Sequence, residues 1–175
     1  FPALPAVADE LAGLVDAPDV TVAKGVLPGL KALDGAFTKD LLLAQLSRRW
    51  PVVHLASHFS FQPGDKDESY LLLGDGARLS VGELERLPNV FQGVDLLTLS
   101  ACNTATGDVG GDGTEVESFA VLAQRKGARA VFASLWPVAD QSTSALMRRF
   151  YQLHATSATK LEALRNAQLE LLSGK

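Results

Sequence analysis

The chain holds one cysteine among its 175 residues, so it can form no internal disulfide. A lone thiol of this kind fits a reducing compartment, and a cytoplasmic location is expected. No apolar run approaches the roughly 20 residues that span a bilayer, so no membrane partner is expected. Positive charge is also in short supply. Lys and Arg number 16 against 20 Asp and Glu, a net charge of −4. Nucleic-acid binding needs a basic face, so no nucleic-acid partner is expected. The start carries neither an initiator Met nor a basic segment leading into an apolar run, so no signal peptide is expected. The opening Phe1-Pro2-Ala3-Leu4-Pro5 instead suits a domain cut from a longer protein. Internal repeats and low-complexity tracts are absent. No set of His, Cys or carboxylates has zinc-site spacing, and no metal or cofactor is expected.

Core-forming residues, by contrast, are plentiful. With 47% hydrophobic residues, a chain of this length is expected to form a single domain over residues 1–175. Such a domain buries close to about 70% of its unfolded surface and needs no disulfide to hold it. Helical spacing of apolar residues predicts helices over 5–15, 39–49, 81–87, 115–126, 140–154 and 158–172. Thr38 and Ser80 suit the caps of the second and third, and two arginines fall in the last turn of the second. Residues 17–36 read as a strand plus a loop, and 59–68 as a polar loop. Apolar runs predict strands at 51–56, 69–73, 94–100 and 128–134, with a turn at Gly74-Asp75-Gly76. Short apolar strands alternating with helices imply an α/β fold with a parallel sheet covered on both faces. Functional groups then gather beyond the carboxyl ends of the strands. His58, Cys102 and the segment Trp136–Asp140 all lie just past such ends.

Cys102 fits two roles. At a strand exit it is a small buried hydrophobe or, given a nearby base, a nucleophilic thiolate. His58 supplies that base. If the first strand continues far enough, pleat alternation puts His54, Ala56 and His58 on one face. His54 then lies in the strand body as a structural residue, His58 at its end as the base. His154 lies on a late helix and is taken as a surface residue. The glycine-rich stretch 107–113 lacks the lysine of a phosphate loop and carries aspartates without calcium-loop spacing, so it suits an adaptable loop beside the nucleophile. Asp140 serves as a helix cap, or with Trp136 as the wall of a pocket for a basic side chain, and the two roles are compatible.

Four motifs occur in order. They are Val52-Val53-His54-Leu55-Ala56-Ser57-His58-Phe59, Leu97-Thr98-Leu99-Ser100-Ala101-Cys102-Asn103-Thr104, Gly127 to Val138, and Ala163-Leu164-Arg165-Asn166-Ala167-Gln168-Leu169. Together they resemble the CHAT domain, a caspase-like cysteine peptidase family related to separase and often fused to tetratricopeptide repeats. The likeness runs from about residue 50 to the end and is loose before it. It implies a three-layer αβα sandwich with a mainly parallel central sheet. It assigns Cys102 as nucleophile and His58 as general base, and places the backbone N–H groups of Phe59 and Cys102 around the oxyanion. The family pattern has glycine after the catalytic histidine, where this chain has Phe59. Separase relatives carry an acid after the Trp motif that receives a basic P1 side chain, and Asp140 occupies the comparable place.

The function expected is therefore a cysteine endopeptidase acting on a protein or peptide through an acyl-enzyme. A regulatory region of the same protein, such as tetratricopeptide repeats, or a separate partner would hold it in check. A catalytically silent interaction scaffold is the alternative. A doubly wound ligand-binding domain is weakened by the absence of a phosphate-binding fingerprint.

Overall fold

The computed structural model describes residues 4–16, 25–62, 64–100, 114–134, 140–156 and 159–174. In chain order the first elements are α1 (Val7–Leu14), β1 (Val15–Asp16), β2 (Leu27–Pro28) and α2 (Lys39–Leu46). Next come β3 (Val52–Leu55), β4 (Phe59–Gln62), β5 (Asp65–Leu72), β6 (Arg78–Ser80) and α3 (Val81–Arg86). The last are β7 (Leu96–Leu99), α4 (Thr114–Arg125), β8 (Val131–Ala133), α5 (Asp140–Ala155) and α6 (Lys160–Leu172). They fall into two compact units, one on Leu33–Val138 and one on Pro2–Ala32 with Ala139–Lys175.

The described residues of the first unit form two sheets. Strands β3, β7 and β8 are parallel in that order, and β4, β5 and β6 form an antiparallel sheet. All four residues of β7 are buried, because a central parallel strand is covered on both faces. Leu97 and Leu99 face a core that also takes Leu55 from β3, Phe59, Leu71 and Leu79 from the antiparallel sheet, and Phe119 from α4. One core therefore fastens both sheets. The opposite face of β7 is closed as well, with Leu96 2% and Thr98 0% exposed.

Local chemistry explains the boundaries. The Thr38 hydroxyl accepts from the Leu41 N–H and starts α2. Arg48 and Arg49 lie beyond this helix and not in its last turn, since Arg49 takes a left-handed φ of 57°. Ser80 and Glu83 form a reciprocal capping box that starts α3. Gly127 closes the turn after α4 with a φ of 112°, and a Cβ there would stand 2.7 Å from the Gln92 Cα.

The polar loop expected over 59–68 is instead a β-hairpin. Phe59, Ser60 and Phe61 alternate across β4, and Gly64 with a φ of 78° turns the chain into β5. The first half of β5 is exposed and charged, which hides it from any reading of apolar runs. The strand expected at 69–73 thus begins at Asp65, and β6 is a further strand. Within 17–36 the described residues give β2 and a short 3-10 turn, Asp34–Ala36.

The second unit packs α5 against α1 and α6. Ala163 and Ala167, both 0% exposed, let α6 approach closely. Arg149 meets Glu170 with two nitrogens on two oxygens, a bidentate pair that raises the pKa of the guanidinium. Thr159 and Glu162 form the capping box of α6. β1 and β2 pair in parallel.

Glu83 gives the first unit a pH dependence. Its carboxylate accepts from Lys39 and then from the Ser80 N–H, and both hold its pKa below the ordinary 4.5. A depressed folded value contributes stability that is present above the unfolded value and lost as pH falls through the folded one. About a third of the side chain stays in water, which limits the ion pair. Glu83→Gln is expected to lower the urea unfolding free energy by about 0.5–1 kcal/mol near neutrality. The difference from the parent chain should vanish well below pH 4.5.

Candidate active site

The site grows from the carboxyl ends of β3 and β7. These strands are in register, Val52 with Leu96 through to Leu55 with Leu99. The Ser100 N–H donates to the Leu55 carbonyl at 3.0 Å, so the two strands end at one level. His54 stands in β3 opposite Thr98, within the strand body as its assignment to structure requires. The pleat argument that put His58 on the same face does not apply, because β3 stops at Leu55 and the chain turns through 56–58 into β4.

His58 is 4% exposed and sits where the parallel sheet hands over to the hairpin. Two bonds brace it. The Ser57 hydroxyl donates to the Leu72 carbonyl at 2.6 Å, and the Leu72 N–H donates to the His58 carbonyl at 2.9 Å. Phe59 then anchors the turn. It is 1% exposed, stacked on Phe61 at 5.9 Å and edge-on to Phe119 at 5.7 Å. Successive residues of a strand face opposite ways, so an inward Phe59 turns His58 and Ser60 to the other face of the hairpin.

The same ladder sets the direction of the Phe59 backbone. Phe59 and Leu71 are partners across the hairpin, and the bond from Leu72 to His58 flanks them. They are therefore a non-hydrogen-bonded pair, and the Phe59 N–H points away from β5. Because β4 is an outer strand of its sheet, that N–H faces no described strand. A phenylalanine in the position after His58 thus keeps its donor available while its ring holds the turn.

Cys102, Trp136 and the glycine-rich stretch 107–113 lie outside the described residues. Asp140 is the first residue of α5, in agreement with a helix start there, and its side chain lies outside the described residues. His154, taken as a surface residue, is half-buried and stacked on Phe150 at 5.8 Å in the second unit. Among the described residues no group of His, Cys, Asp and Glu is placed to hold a metal ion. None of the described helices is long and apolar enough to cross a membrane. The hairpin and the brace from Ser57 escape a reading of apolar runs, although Phe-Ser-Phe followed by Pro-Gly carries a hairpin signal.

The described residues thus form a mixed α/β chain with a buried histidine at the exit of a parallel strand, next to a second exit at the same level. The chain belongs to the CHAT domain family, whose model matches residues 1–175. That family is caspase-like and peptidase-related, as the four motifs imply. No curated protein and no solved structure matches the chain.

Phe59→Ala is expected to cost about 3–5 kcal/mol in urea unfolding, since it opens a cavity at the junction of the two sheets. Phe59→Leu should cost less than half as much. A cost below about 1 kcal/mol for Phe59→Ala would show that the ring does not anchor the turn.

Proposed function

We propose that the chain is a cysteine endopeptidase in which Cys102 attacks a peptide carbonyl and His58 moves the protons. One observation carries this. His58 follows Leu55 by three residues, Cys102 follows Leu99 by three, and Leu55 and Leu99 are register partners. Neighbouring strands run about 4.8 Å apart, so the two exits from which His58 and Cys102 follow lie side by side. The outward N–H of Phe59 supports the second part of the machinery, an oxyanion site shared with the N–H of Cys102.

The chemistry follows in two halves. The Cys102 sulfur forms a bond to the carbonyl carbon, and the carbonyl electron pair moves to oxygen, which the two N–H groups stabilise. Collapse breaks the C–N bond, and the leaving nitrogen takes the proton held by His58. A thioester remains. His58 then takes a proton from water as the water oxygen attacks the thioester carbon. The C–S bond breaks, the thiolate is restored and the new carboxylic acid leaves.

Around this dyad we place a three-layer αβα sandwich of caspase-like form, with β3, β7 and β8 in its central sheet. Trp136 and Asp140 line the P1 pocket, where the carboxylate receives a basic side chain. The substrate is a protein or peptide, and another region of the protein or a partner restrains the enzyme. A reducing cytoplasm keeps the single thiol active.

A cysteine-directed peptide electrophile should label Cys102, and His58→Ala should slow labelling roughly 10²-fold or more. Equal rates in both proteins would remove the dyad, and no labelling would leave a silent scaffold. With peptide substrates, Asp140→Ala should abolish any preference for Arg or Lys at P1. An unchanged preference would remove Asp140 from the pocket.

A further inference from the structure

The face of the hairpin that carries His58 also carries an arginine. Leu72, whose N–H meets the His58 carbonyl, is the register partner of Arg78 on β6. His58, Leu72 and Arg78 therefore form one cross-strand row, on the face opposite the core row of Phe59, Leu71 and Leu79. Arg78 is exposed, and its guanidinium lies over the Tyr70 ring, 4.3 Å from the centroid. Several other basic side chains of this unit meet carboxylates. Lys39 meets Glu83, Lys66 meets Glu85, Arg86 meets Asp67 and Arg129 meets Asp95. Arg78 forms no ion pair with any described residue. Tyr70 is 7% exposed, so the ring is a fixed platform. A guanidinium held over a ring in this way still has N–H groups with which to meet a carboxylate.

We propose that Arg78, held on Tyr70, is a subsite for an acidic side chain on the leaving-group side of the peptide substrate. This rests on the peptidase reading of His58. A histidine that protonates the leaving nitrogen lies on the side where the C-terminal part of the substrate departs. That part then runs over the His58 face of the hairpin. Two strand spacings, roughly 10 Å, separate the His58 and Arg78 backbones. About three residues of extended peptide cover that span.

The experiment uses the whole chain with quenched peptides that carry Glu, Gln or Lys at each of the first four leaving-group positions. Labelling of Cys102 by the peptide electrophile is measured in parallel. The parent enzyme should cleave the Glu peptide about tenfold faster than the Gln peptide, in kcat/KM, at one position near the third. Arg78→Gln should bring that ratio to about one, and salt should weaken it in the parent. Arg78→Glu should reverse the order in favour of Lys, which a misfolded variant would not do. An enzyme that labels at Cys102 yet treats Glu and Gln alike at all four positions overturns the subsite alone. So does a preference that survives in Arg78→Gln. Absence of labelling overturns the peptidase reading and the subsite together.

Discussion

The register between β3 and β7 is the constraint on which the site depends. A parallel pair in this register ends both strands at one level, and the Ser100 N–H to Leu55 carbonyl bond holds that level at the exits. A slip by one residue would turn the inward leucines of β7 to the opposite face and separate the two exits. Burial of Leu97 and Leu99 at 0% exposure makes such a slip costly. Each leucine buried contributes about 1.5–3 kcal/mol, so the packing that stabilises the sheet also holds its two exits level.

A second constraint acts at the turn after β3. The family pattern places glycine after the histidine, and this chain places a large ring there. The structure accommodates the change by sending the ring into the core it shares with Phe119, while the ladder leaves the backbone N–H directed outward. What flexibility the glycine would have offered is replaced by an anchor. His58 is consequently held by its neighbours on both sides, by the Ser57 and Leu72 bonds and by Phe59. Arg78 reaches the same face only because the hairpin continues into β6.

Most of the framework was legible in the sequence because it follows from apolar periodicity and capping chemistry. The strands at 52–55, 96–99 and 131–133, and the caps at Thr38 and Ser80, appear where those signals put them. The hairpin was not legible by the same means. Its strands carry Asp65, Lys66, Asp67 and Glu68 on exposed positions, and their stability comes from partners distant in sequence. Whether β3 ran on to His58 was left open for a related reason. Val52 to Ala56 is uniformly compatible with a strand apart from His54, and only the start of β4 shows where the pleat is interrupted. Of the candidate site, the strand exits were legible in the sequence, while the direction of the Phe59 N–H and the row to Arg78 are properties of pairing.

The most direct measurement of the central claim is a crystal structure of the chain joined through Cys102 to a peptide aldehyde. The hemithioacetal oxygen should lie about 2.7–3.1 Å from the Phe59 nitrogen, with the His58 ring beside the sulfur. A Phe59 N–H bonded within the protein, or a His58 ring turned away from Cys102, would contradict the account.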